Sequence, residues 1–399
     1  MIKKSLILLG LIILLTGCSA KTTSKEIVFW TLQMGDFAPY INNVITNYEK
    51  EHPNIKIKWV DVPFSEGEKR TLASVMTDSP PDLINLNPDF SALLAQKGTL
   101  TEIEEGKLNE FVPDVVEALK YEDKVYSIPW YATSAITIYN KDLLNKSKIK
   151  TVPKTYSELA NLSEQIKEET GAYSYIPTIT ENDTMIKILN KYGINQITDF
   201  NSEQSKQVFE MYKNLYKQNL IPAETITMTH REALEQYMAG KVLLYQGGAN
   251  FLNMIKENAP KIYEQTDVAE QLKGSVGQND FSVMNFVIPL KAKSKNEALD
   301  FCLYLTNEEN QLELARLTNI IATNANALNN KFYNDTSDLA SKARTISAKQ
   351  IQHIMPALKQ KRGQKDINTL VNATVQSVLL DKNNTDELLK KLVEDLKEY

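Results

Sequence analysis

The side chains able to do chemistry in this chain fall in a few short runs. Gln33 follows the apolar run Ile27-Val28-Phe29-Trp30, and Asn87 and Asp89 follow Leu83-Ile84-Asn85-Leu86. Trp130 and Tyr131 stand together after Pro129. Gly247-Gly248 precedes Ala249-Asn250-Phe251, and Asn285 stands among apolar Val283, Met284 and Phe286. Amides and carboxylates form paired hydrogen bonds and aromatic rings offer flat apolar faces, so the chemistry on offer is noncovalent recognition. Each group also has a plainer reading. Asn87 and Asp89 suit a turn or helix cap, Trp130 and Tyr131 suit packing, and Gly247-Gly248 suits a simple turn. Asn285 suits an amide that bonds the backbone. Metal chemistry has little support. His52, His230 and His353 lie far apart without ligand spacing, and Cys18 and Cys302, the two cysteines, are too few for a Cys-based metal site. Cys302, inside Ala298-Leu299-Asp300-Phe301-Cys302-Leu303-Tyr304-Leu305, reads as a small core residue. No metal and no cofactor is expected.

Cys18 has a different setting. Met1-Ile2-Lys3-Lys4 is basic, Ser5 to Leu15 is almost wholly apolar, and Leu15-Thr16-Gly17-Cys18 follows. That order is the order of a cleaved export leader. The apolar run falls short of the ~20 residues that a spanning helix needs. The Leu-Thr-Gly-Cys ending resembles the bacterial lipobox. The resemblance implies a signal peptide at residues 1–17 and a lipid on the Cys18 thiol. It also implies an extracytoplasmic location at the membrane, in a periplasm or on the cell surface. More than one acyl chain makes such an anchor stable. Residues 18–25 are polar beyond the cysteine and read as a flexible tether.

The candidate residues need a scaffold, and the chain supplies alternating elements. Ile27–Trp30 is a short strand; Ile41, Val44, Ile45 and Tyr48 fall on one helical face; Ile55, Ile57 and Trp59 alternate with Lys56 and Lys58. A second helix over 66–77 ends at Pro80-Pro81 before the strand Leu83–Leu86. This β–α–β order predicts an α/β fold with mostly parallel sheets flanked by helices. In open sheets of that kind ligands bind at the carboxyl ends of strands, which singles out the loops after Trp30 and Leu86. Thr155 with Glu158 three residues later reads as a capping box for a helix running to about residue 169. Composition is that of a globular protein, with 42% hydrophobic and 24% charged residues, and the length calls for two lobes. The formal net charge is -5 and the basic residues are scattered, which argues against nucleic acid as a partner.

Several runs line up, in order, with one family. They are Pro81-Asp82-Leu83-Ile84, Leu94-Ala95-Gln96-Lys97-Gly98-Thr99-Leu100, Ser127-Ile128-Pro129-Trp130-Tyr131 and Tyr139-Asn140-Lys141-Asp142-Leu143. Pro153-Lys154-Thr155-Tyr156-Ser157-Glu158-Leu159, Ala239-Gly240-Lys241-Val242 and Asn307-Glu308-Glu309-Asn310-Gln311 follow. The chain resembles the extracellular solute-binding proteins of bacterial ABC importers, in the sugar-binding, maltose-binding-protein-like group. The resemblance implies a two-lobed, type II periplasmic-binding-protein-like fold. Lobe one would hold residues 26–133 and 287–333, and lobe two residues 134–286 and 334–399. It implies a non-enzymatic receptor that works as a monomer. A carbohydrate ligand, permease subunits of an importer and the membrane, through the lipid, would be its partners.

A sugar needs a flat aromatic partner for its ring and paired donors and acceptors for its hydroxyls. On that footing Gln33, Asn87, Asp89, Trp130, Tyr131, Gly247, Gly248, Asn250 and Asn285 are the expected ligand contacts. Asp89 matches the position where sugar-binding relatives place a hydroxyl-binding carboxylate. Those relatives often carry Trp shortly after the glycines, where this chain has Ala249-Asn250-Phe251. Either Phe251 stacks or Asn250 makes a polar contact, which favours a small sugar over a long maltodextrin. Two rivals stay open. The same fold could bind a charged solute, which needs a cluster of like charges in the cleft. A lipid-anchored glycoside hydrolase needs two carboxylates at a set separation, and no local run supplies that signature.

Overall fold

The computed structural model describes residues 24–277, 279, 281–318, 320–351 and 363–399. The expected leader, Cys18 and the tether up to residue 23 lie outside the described residues. Lys25, expected in the tether, opens the first strand instead, and its ammonium meets Glu297 at 2.6 Å. The strands are β1 (Lys25–Leu32), β2 (Ile55–Val62), β3 (Leu83–Leu86), β4 (Lys120–Tyr121) and β5 (Lys124–Val125). Then come β6 (Ile128–Thr133), β7 (Ala135–Asn140), β8 (Leu244–Gly248), β9 (Thr266–Glu270), β10 (Ser282–Val287) and β11 (Ile321–Ala322). β4 and β5 form a small hairpin.

Two lobes result. The first is built on a six-stranded sheet in the order β11-β6-β10-β3-β1-β2. β1 pairs in parallel with β2 and β3, as the helical crossovers between them require. β10 runs antiparallel to both β3 and β6, and β11 antiparallel to β6. The second lobe carries β8-β7-β9, antiparallel throughout. Two isolated parallel bridges, Tyr173 with Val242 and Thr155 with Lys273, lie beside it. The expectation of a mostly parallel sheet in each lobe therefore holds only for β1, β2 and β3. The reason is the route of the chain. β6 leaves the first lobe and β10 enters it across the same edge, so the two must run oppositely.

That route also fixes which strand ends face the second lobe. β3 and β6 are both antiparallel to β10, so β1, β2, β3 and β6 point the same way. β6 passes through Ser134 alone into β7, so all four carry their carboxyl ends toward the second lobe. β8 runs opposite to β7 and ends with Gly248 beside Ala135, which brings its end back to the crossing.

Each sheet is covered by its own core. In the first lobe Phe29 packs edge-on against Phe286 at 5.7 Å and Phe301 at 5.5 Å, and Trp130 lies 4.6 Å from Phe286. Burying such a ring is worth about 1.5–3 kcal/mol. Cys302 is enclosed in this cluster, and burial pushes its thiol well above the usual range. In the second lobe Ile136 and Ile138 of β7 meet Leu159, Ile166, Leu189, Tyr212 and Tyr237 from the surrounding helices. The helix Tyr156–Thr170 starts where expected, with Thr155 Oγ1 accepting from Glu158 N at 3.0 Å. Glu158 reaches back to Lys154 N rather than to Thr155 N, so the box is displaced by one residue. A third link between the lobes is the helix Leu339–Ile351. Ala343 sits in the second-lobe core, while Ala348 and Ile351 pack with Ala132, Val283 and Ile321 of the first.

Candidate ligand-binding site

A cavity of about 330 Å³ opens where the two sheets meet. Thr133 at the end of β6 and Ser282 at the start of β10 border it from the first sheet. Ala135 and the end of β8 border it from the second. Its depth is aromatic: Tyr156, Tyr175, Tyr245, Phe251 and Phe281 contribute rings.

The end of β8 shows how the backbone sets this wall. Tyr245 and Gly247 share a face of the strand because side chains alternate. A Cβ on Gly247 would fall 2.3 Å from Tyr245 Cε1 and 2.9 Å from its hydroxyl, so the ring lies flat over the glycine. A Cβ on Gly248 would meet Asn250 Oδ1 at 2.4 Å. The Tyr245 ring is held edge-on by Phe251 at 5.7 Å and by His230 at 6.3 Å. Gln246 points to the other face, donating to Thr137 Oγ1 at 2.7 Å and accepting from Leu272 N at 3.0 Å. It ties the sheet to the segment after β9.

Lys191 and His230 stand at the cavity with their partners arranged behind them. Lys191, 1% exposed, donates to Gln271 Oε1 at 2.5 Å and to Leu272 O at 2.9 Å, and its ammonium lies 5.5 Å from the Tyr156 ring centre. Its backbone is pressed by Gly274, where a Cβ would come 2.2 Å from the Lys191 carbonyl oxygen. His230 places Nδ1 at 2.8 Å from Glu181 Oε2 and 2.7 Å from Thr178 Oγ1, while its backbone N–H donates to Glu181 at 2.7 Å. Burial alone would raise the Glu181 pKa, but the His230 bonds and charge outweigh it and hold the carboxyl low. Burial, with the nearby Glu181 charge, pushes the Tyr245 phenol well up, so it stays protonated. Among the described residues no group of three or more His, Cys, Asp or Glu is placed to hold a metal ion. Such a wall can stack on a ring and exchange hydrogen bonds with it.

The family model for bacterial extracellular solute-binding proteins matches residues 43–341. The chain belongs to that family. Membership places this solute-binding protein outside the cytoplasm. The multiple sugar-binding protein of Streptococcus mutans is 24% identical over 336 residues, covering 76% of this chain and 78% of that one. A candidate oligosaccharide periplasmic-binding protein of Synechococcus sp. MITs9220 superposes with a TM-score of 0.84 at 27% identity, covering 94% of this chain and 98% of that one. The GacH receptor of Streptomyces glaucescens, solved unliganded and with acarbose, gives 0.75 at 18% identity over 94% and 97% of the two chains. This last likeness is one of fold.

The residues singled out from the sequence divide in this solute-binding protein. Gly247, Gly248 and Asn250 border the cavity, as does Phe251. The two glycines make room for Tyr245 and Asn250, a closer demand than approach of a ligand. Gln33, Asn87, Asp89, Trp130, Tyr131 and Asn285 belong to the first lobe and do not line this cavity. Gln33 is exposed at the end of β1 with φ of 53°, and Asp89 is exposed in the first turn of the helix Pro88–Gln96. Asn87 caps that helix, accepting from Phe90 N at 2.8 Å. Tyr131 is half-buried, and burial pushes its pKa up to about 12. Two expected contacts are corrected. Trp130 is fully enclosed against Phe286 and has no ring face to offer. Asn285 is also enclosed; its Oδ1 accepts from Ser91 Oγ at 2.7 Å within the sheet's own packing. Tyr156, Tyr175, Lys191, Tyr245 and Phe281 were not anticipated. For Tyr245 the signal was present, since it stands two residues before Gly247 on an alternating strand.

Proposed function

We propose that this protein captures a small sugar or oligosaccharide between its two lobes and delivers it to an ABC-type importer without altering it chemically. The observation that carries the reading is the aromatic-walled cavity at the crossing of the two sheets. Tyrosine and phenylalanine faces suit a sugar ring, and Asn250 and Ser282 in the same lining suit its hydroxyls. Relatives named for sugars support the same ligand class. Gln33, Asn87 and Asp89 stand at strand ends that point to the second lobe. Hinge closure then brings them onto the captured solute, the usual motion of two-lobed binding proteins. A lipid on Cys18 holds the receptor near its transporter, which raises its effective concentration there.

A thermal-shift panel of mono- and disaccharides, peptides and polyamines on the purified protein tests the ligand class. A saturating saccharide is expected to raise Tm by the linkage between binding and folding. A shift with a peptide or polyamine and with no saccharide sinks the proposal. Release of reducing sugar from an oligosaccharide by the pure protein would overturn the non-enzymatic part.

A further inference from the structure

We propose that Tyr245 is the specificity-determining residue of the cavity, its phenol hydroxyl pairing with one ring hydroxyl of the bound saccharide. The inference rests on the saccharide reading above and names the group that does the discriminating.

Tyr245 is only 5% exposed, lines the cavity, and its hydroxyl has no hydrogen-bond partner in the protein. A buried hydroxyl without a partner is costly, so such a group in a ligand wall marks a bond that the ligand completes. Other polar groups of this wall already have protein partners. Gln246 is held by Thr137 and Leu272, Thr178 meets His230, and Lys191 donates to Gln271 and Leu272. The ring cannot swing away to find a partner elsewhere. Phe251 and His230 hold it on two sides, and Gly247 lies beneath it. A rigid ring with one unanswered hydroxyl suits a solute that has both a stackable ring and a hydroxyl at a fixed place on it. A site built to bond a hydroxyl rejects analogues that lack it, because its own group is then left unpaired.

The test compares wild type and Tyr245→Phe by calorimetric titration with the saccharide that gives the largest thermal shift, and with its monodeoxy analogues. Y245F keeps the ring and removes only the oxygen, so the unliganded variant is expected to melt no lower than wild type. Its Kd for the parent saccharide is expected to rise about 2- to 13-fold, the range for one neutral hydrogen bond. One deoxy analogue should lose a similar factor on wild type and bind wild type and Y245F equally. If Y245F binds the parent within 2-fold of wild type, or every deoxy analogue loses as much on Y245F as on wild type, the assignment to Tyr245 is overturned while saccharide capture stands. If wild type binds no saccharide, the capture reading itself falls and takes this assignment with it.

Discussion

Gln350 is expected to hold the hinge together, and replacing it with Met tests this. Its side chain, 3% exposed on the helix Leu339–Ile351, touches all three links between the lobes. Nε2 donates to Ser134 Oγ at 2.9 Å and to Ala135 O at 2.8 Å, the single-residue passage from β6 to β7. Oε1 accepts from Gln271 N at 2.8 Å, on the segment that leads from β9 back to β10. Gln271 in turn donates to Ser134 Oγ at 3.2 Å and accepts from Lys191, so the network reaches the cavity wall. Gln350→Met keeps the length and removes the amide. The Gln271 N–H loses its acceptor in a dry site, which costs about 1–3 kcal/mol, and two further bonds worth about 0.5–1.5 kcal/mol each go with it. The total of about 2–6 kcal/mol lowers Tm by about 4–24 °C for a lobe-sized unfolding unit. Differential scanning calorimetry reads this directly, with Lys349→Met, exposed on the same helix, as the control. A drop below about 2 °C for Q350M would show that the hinge does not depend on this amide, and the argument from buried satisfaction would be refuted.

Three other outcomes are expected. Gly247→Ala puts a Cβ 2.3 Å from the Tyr245 ring, and overpacking of about 1–3 kcal/mol should displace the ring, lower Tm by differential scanning calorimetry and weaken saccharide binding in a calorimetric titration. Unchanged Tm and affinity would mean that the ring is not wedged there. Asp381 is held at about 2, against an ordinary 3.8, by hydrogen bonds from Lys213 and Lys217. Its stabilisation is present above about pH 4 and lost as the pH falls toward 2, so Asp381→Asn should flatten that part of the Tm-against-pH curve. An identical acid limb in both proteins would count against the triad. Cys18→Ala should move the protein from the membrane to the soluble fraction, by cell fractionation, with saccharide affinity intact. Persistence in the membrane fraction would count against lipid attachment at that thiol.

What the sequence could reveal depended on whether the cause was local. β1 and β3 were legible because short apolar runs bounded by polar residues need nothing distant to be strands, and Thr155 was legible as a cap because its bond spans three residues. Sheet direction in the second lobe was not legible. It is set by where the chain crosses from the first lobe, and no window of residues records that. Trp130 and Tyr131 show the boundary between the two kinds of cause. β6 is irregular at this point: Tyr131 pairs with Met284 and Pro129 with Asn285, so Trp130 is skipped in the ladder, and the two rings meet edge-on at 5.1 Å in one cluster. No short window records that irregularity or its packing, which is set by Phe286 on β10, more than a hundred residues away, against which Trp130 lies enclosed.

The same reasoning separates the glycines from the tyrosine beside them. Gly247-Gly248 invites a reading of backbone approach to a ligand, because glycine leaves space. The space is taken by Tyr245 and Asn250. The pair of glycines is therefore the mould of the site, and the group that meets the solute is the one they accommodate. Alternation places Tyr245 over Gly247 from sequence alone. Its hydroxyl has no protein partner, while Glu181, Thr178 and His230 bond one another in a set assembled from a loop and a helix start far apart in sequence. A buried hydroxyl left out of such a set, on a residue that lines the cavity, is the group whose bond the proposed saccharide completes.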